Sequence, residues 1–176
     1  MIWTTRGAFL AEAGGGAALS AGTTVIISSS PGETVRLGKK LGLSLAPGSV
    51  IALRGGLGAG KTLFVRGIAK ALHIDAEITS PTYTLLAVYD ASPEAGSLPL
   101  YHFDAYRLSG DDDFIALGAE EYLYGRGVSV IEWSERVTAS IPGGAVTVTI
   151  GILEGGKRRI TISFPALPGG GPDGGA

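Results

Sequence analysis

The sequence predicts an α/β fold: a P-loop NTPase-like mixed sheet, parallel at the core with antiparallel edge strands and flanked by helices. Three observations lead there. A short apolar run, Val50-Ile51-Ala52-Leu53, enters Gly55-Gly56-Leu57-Gly58-Ala59-Gly60-Lys61-Thr62, a complete match to GxxxxGK[ST], and a helical pattern follows at once. A second apolar run, Val128 to Ile131, ends in an acid, Glu132. Towards the C-terminus, apolar and polar residues alternate on both sides of Glu154-Gly155-Gly156, the pattern of a β-hairpin.

The elements can be justified in order. Residues 1–22 are rich in Gly and Ala with little periodicity and read as a loosely held extension. Thr24 to Ile27 is a strand candidate. Ser30, Pro31 and Glu33 form a capping box that opens a helix, with Leu37, Leu41 and Leu45 as its apolar stripe and Pro47-Gly48 as its end. After the glycine-rich loop, Phe64, Ile68 and Leu72 recur at helical spacing. Glu77 to Tyr89 is a loop entering a strand, Asp90 to Ser97 a polar turn, and Leu98 to Phe103 a strand that closes a hairpin. Asp111, Asp112 and Asp113 suit a helix start, where negative charge complements the dipole, and Gly118 interrupts that helix. Val146 to Ile152 and Ile160 to Phe164 form the final hairpin. From Pro168 to Ala176 glycine and proline dominate, so this is expected to be a disordered tail, leaving one domain over 23–167.

The loop's residue types have a physical logic. Glycines let backbone N–H groups converge on phosphate oxygens, Lys61 can reach the β and γ phosphates, and the Thr62 hydroxyl can ligate Mg²⁺. The following helix aims its positive end at the same anion. In a chain with 29 glycines among 176 residues, the pattern has about a 2% chance of arising at random. The strand before it and the helix after it lower that chance further.

Composition excludes several classes. A net charge of -2 argues against unaided, charge-driven binding to nucleic acid. Without cysteine there is no disulfide, thiolate zinc site or cysteine nucleophile. No apolar run approaches the roughly 18 residues of a membrane span, and Arg6 followed by the short run Ala8 to Ala11 reads poorly as a signal peptide. The expected compartment is the cytoplasm.

Hydrolysis needs a carboxylate for Mg²⁺ and a group to orient water. Asp104 and Glu132 each lie just beyond an apolar run, where ligands bind in open α/β sheets. Alternatives are a strand-end cap or a partner for Arg107 in the case of Asp104, and a surface strand end for Glu132. Thr82 is either a γ-phosphate-sensing hydroxyl or part of an ordinary Ser-Pro-Thr turn. His102 is either a residue alternating into a sheet face, the reading its place in an apolar run favours, or a base. Trp133 is either a stacking surface for a base or partner, or a buried aromatic.

Together these segments resemble the TsaE family of bacterial ATPases in tRNA threonylcarbamoyladenosine biosynthesis. The carrying stretches are Gly55 to Thr62, Phe64 to Gly67, Thr79 to Leu85, His102 to Leu108, Leu117 to Tyr122 and Ile131-Glu132-Trp133, spanning roughly 24–163. The resemblance implies that Gly55, Gly56, Leu57, Gly58, Ala59, Gly60, Lys61 and Thr62 bind ATP, and that Thr82 belongs to a switch-like loop. Asp104 and Glu132 would serve Mg²⁺ and the catalytic water, without a division of labour between them. Trp133 would flank nucleotide or partner. It further implies partnership with the threonylcarbamoyl transferase subunit and its non-catalytic paralogue, of TsaD and TsaB type. The modified adenosine lies beside the anticodon of tRNAs reading codons that begin with A, and tRNA would be met only indirectly. Ala105 departs from the family's usual larger apolar residue, and both chain ends lie outside the pattern. Two other functions fit a P-loop: a small-molecule kinase, against which the lack of an Arg-rich lid between Leu108 and Val128 counts, and a non-hydrolysing nucleotide-dependent binding module.

Overall fold

Residues 22–91 and 97–165 are described by the structure, a computed structural model. The expected extension, apart from Gly22, the tail from Pro168 and most of the Asp90–Ser97 turn lie outside the described residues. Along the chain run β1 (Gly22–Ser28), α1 (Pro31–Gly42), β2 (Val50–Arg54), α2 (Lys61–Ala71), β3 (Leu86–Tyr89), β4 (Leu100–Asp104), α3 (Asp111–Ala116), α4 (Ala119–Leu123), β5 (Val128–Glu132), β6 (Val146–Ile152) and β7 (Arg158–Phe164). The sheet order is β1-β7-β6-β2-β5-β4-β3. The neighbours β6-β2-β5-β4 pair in parallel, whereas β3 with β4, β6 with β7 and β1 with β7 are antiparallel. This is the mixed sheet that the apolar runs and the terminal hairpin predict.

Strands buried on both faces need cover on both, and helices supply it. On one face Ile51, Leu53, Val130 and Ile160 pack with Phe64 and Ile68 of α2 and Leu41 of α1. On the other, Val50, Phe103 and Ile131 pack with Phe114 of α3 and Leu123 of α4. Phe103 and Phe114 meet edge to face with ring centroids 5.1 Å apart. No described helix is long and apolar enough to cross a membrane.

The Ser30 half of the capping box forms at α1, where Ser30 Oγ accepts from the Glu33 N–H at 3.2 Å with Pro31 in the first turn, while the Glu33 carboxylate reaches one residue further back to the Ser29 N–H. The helix ends at Gly42, ahead of the expected Pro47-Gly48. Ser44 and Leu45 donate their backbone N–H groups three residues back, and Ser44 Oγ donates to the Leu41 carbonyl at 2.7 Å, so the last turn tightens and stops. Leu45 still packs against the core from beyond the helix.

The contact between α1 and α2 rests on small residues. A Cβ on Gly67 would lie 2.7 Å from Lys39 N and 2.8 Å from Gly38 Cα, and one on Gly42 would lie 2.6 Å from the Ala71 Cβ. Backbone sits against backbone here, and neither partner can rotate away as a side chain could. Gly67→Ala therefore trades a gain of about 1 kcal/mol in helix propensity for overpacking against fixed atoms. We expect a net loss of about 2 kcal/mol in urea unfolding; an unchanged midpoint would show that the helices separate freely.

Candidate active site

The parallel register brings the site together. Leu53 is paired with Glu132, and Asp104 with Glu132, so three neighbouring strands end beside the loop that follows β2. Within that loop Gly55, Gly58 and Gly60 hold φ of 145°, 72° and 103°. A side chain at Gly55 would also run into the Ile150 carbonyl. Gly60 hands the chain into α2, whose free N–H groups and positive dipole end face the loop's concavity.

Lys61 is 5% exposed, and its Nζ donates to the carbonyls of Gly55 at 2.7 Å and Gly56 at 3.1 Å. The same nitrogen lies 3.8 Å from the ring centroid of Trp133. Burial lowers the pKa of Lys61, and the charges of Glu132, Glu135 and Asp104 oppose that shift. Trp133 itself sits at φ 57°, a left-handed conformation unusual for a bulky residue, and packs on Tyr106 with ring centroids 4.9 Å apart.

Glu132 is 3% exposed, not a surface strand end. Its Oε1 accepts from Thr62 Oγ1 at 2.9 Å and stands 2.9 Å from His102 Nε2. Asp104, 2% exposed, accepts at Oδ2 from Ser80 Oγ at 2.6 Å and Thr82 Oγ1 at 2.9 Å, and at Oδ1 from the Tyr106 N–H at 2.9 Å. It thus caps its own strand end and also holds the Ser-Pro-Thr turn. Arg107 does not pair with it: the guanidinium carbon lies 4.4 Å from the ring centroid of the exposed Tyr83.

Every candidate from the sequence therefore lies around one loop: Lys61 and Thr62 where it enters α2, Glu132 bonded to Thr62, Trp133 over Lys61, and Asp104 tied to Thr82. Sequence reasoning missed Ser80, and it weighed His102 as a sheet-face residue or a base without its bond to Glu132. Both signals were present: Ser80 is a hydroxyl two residues from Thr82, and His102 lies two residues before Asp104 on a strand, hence on the same face.

The family model for "Threonylcarbamoyl adenosine biosynthesis protein TsaE" matches residues 28–160. The chain belongs to the TsaE family. Its relatives include the tRNA threonylcarbamoyladenosine biosynthesis protein TsaE of Treponema pallidum, 50% identical over 137 residues, which are 78% of this chain and 98% of that protein. The TsaE of Bacillus subtilis is 37% identical over 133 residues, 76% of this chain and 80% of the relative. The crystal structure of Bacillus subtilis YdiB superposes with a TM-score of 0.69 at 31% identity, covering 82% of this chain and 86% of that one. The TsaE family takes part in tRNA threonylcarbamoyladenosine biosynthesis, and this chain carries its fold.

The Ser80–Thr82 turn depends on one carboxylate that takes three donors. Asp104→Asn turns one acceptor oxygen into an N–H₂ facing a donor, a loss of about 1.5–3 kcal/mol for hydrogen bonds to a charged group. Amide exchange across residues 82–85 should rise about tenfold or more in a hydrogen-exchange experiment. Protection equal to the wild type would mean that other contacts hold the turn.

Proposed function

We propose that the chain is a Mg²⁺-dependent ATPase of the cytoplasm whose hydrolysis serves the tRNA-modifying machinery, acting on the transferase complex rather than transferring the group itself. The observation that carries this reading is the bond from the Thr62 hydroxyl to Glu132, with Lys61 beside it at the start of α2 and Asp104 at the end of the neighbouring parallel strand.

The donor set suits Mg²⁺. It is all oxygen, and Mg²⁺ is ordinarily held by one or two carboxylates plus substrate phosphates and water, not by a closed protein cage. No group of three or more His, Cys, Asp or Glu forms such a cage among the described residues. Thr62 and Glu132 would hold the ion, and when bound it would neutralise charge on the β and γ phosphates. Lys61 would leave the Gly55 and Gly56 carbonyls for those phosphates. Asp104, with Thr82, would orient the attacking water. This assigns Glu132 to the metal side, because it already holds the Thr62 hydroxyl, and Asp104 to the water side, because it already holds the switch-like turn.

The partners in this reading are a threonylcarbamoyl transferase subunit and its non-catalytic paralogue, of TsaD and TsaB type. Support comes from the biosynthetic role in the relatives' names and from a net charge of -2, which leaves little electrostatic attraction for tRNA.

Phosphate release from Mg²⁺-ATP, measured with the chain alone and with both proteins, tests the proposal. Turnover that is low alone should rise severalfold in the complex and vanish with Lys61→Ala. Asp104→Asn and Glu132→Gln should each suppress hydrolysis more than nucleotide binding, with only Glu132→Gln raising the Mg²⁺ requirement. Nucleotide-dependent assembly without turnover would replace the ATPase by a binding switch.

A further inference from the structure

We propose that His102 is a positioning residue that fixes the Glu132 carboxylate, an inference that rests on the nucleotide-site reading above. His102 is completely buried in the middle of β4, on the face it shares with Asp104. Its one hydrogen-bond partner is Glu132, at 2.9 Å from Nε2, while Nδ1 is buried with no partner among the described residues. A carboxylate only accepts, so Nε2 is the donor. An apolar residue would fill this place in the sheet without leaving a ring nitrogen unsatisfied. A packing role alone does not account for an imidazole here.

The geometry at Glu132 supplies the account. Oε1 takes two donors, the Thr62 hydroxyl and the His102 ring, each at 2.9 Å. These come from different elements, α2 and β4, and together they define the plane and rotation of the carboxylate. Oε2 takes neither of these donors, so it is the oxygen left for a metal ion or its water. With Thr62 alone as donor, the carboxylate could swing about its last torsion and present either oxygen. His102 thus selects the oxygen and acts through Glu132, not by touching nucleotide.

Two substitutions separate this from a structural role. An Asn amide nitrogen falls near the position of Nδ1 and cannot reach Oε1, whereas a Gln amide nitrogen falls near Nε2 and can. The first readout is the ratio of the ADP dissociation constants in EDTA and in Mg²⁺, by calorimetry on the full chain. His102→Asn should lower this ratio tenfold or more, in the range seen when groups supporting a metal ligand are removed, while affinity in EDTA stays within twofold. His102→Gln should stay within threefold of the wild type in both. The second readout is turnover with the partner proteins present: His102→Asn should cost tenfold or more alone and add nothing to Glu132→Gln. Equal behaviour of the Asn and Gln variants, or additive losses with Glu132→Gln, overturns the inference. If the Asn variant does not fold, His102→Leu takes its place. Wild-type ADP binding without turnover would sink the hydrolytic reading alone, and the affinity ratio would still decide on His102. Absence of nucleotide binding would remove both.

Discussion

Parallel pairing of β2 with β5 is the constraint on which the rest depends. It sets Leu53 opposite Glu132, and so places an acid one strand away from the phosphate-type loop. Pairing of β5 with β4 then sets Asp104 opposite Glu132. Because side chains alternate with a period of two, a slip of one residue would turn both acids to the other face and put an apolar side chain beside Thr62. The register is fixed by burial on both faces, since Ile51, Val130 and Leu100 belong to one core and Val50, Ile131 and Phe103 to the other.

Three charged side chains at one buried place are costly unless they satisfy one another. Here Lys61 finds two carbonyls and an aromatic face, Glu132 finds Thr62 and His102, and Asp104 finds two hydroxyls and a backbone N–H. Lys61 still carries a desolvation penalty that the nearby acids offset only in part, as its lowered pKa shows. The site is held rigidly by polar contacts at the sheet's end, while the glycine seam between α1 and α2 anchors the helix that carries Lys61 and Thr62.

The framework was legible in the sequence wherever burial dictated residue type. The apolar runs, the capping box, the Gly118 break and the terminal hairpin each gave a local signal strong enough to place an element. The end of α1 was less legible, because Ser44 closes the helix through its side chain before any proline or glycine does so. In the site, Lys61 and Thr62 follow from the loop pattern alone. Glu132 and Asp104 could be named but not told apart, because which hydroxyl each accepts is set by contacts far along the chain, 70 residues apart for Thr62 and Glu132. His102 and the seam residues Gly38, Gly42 and Gly67 were hidden for a similar reason: their partners belong to other elements, and no spacing within one element shows them.

The arrangement also determines how binding energy would be spent in the proposed reaction. Lys61 already holds two carbonyls and the Trp133 ring, and Thr62 already holds Glu132. Nucleotide binding is then an exchange of contacts rather than an addition. Hydrogen bonds from a charged group contribute about 1.5–3 kcal/mol and a partly exposed cation–π contact about 1 kcal/mol, so the contacts surrendered by Lys61 are comparable to a large part of a micromolar affinity. Trp133 adds a strained backbone at φ 57°, held by the packing of Tyr106 against its ring. Tyr106 is 45% exposed, so one end of this stack meets solvent while the other meets the lysine.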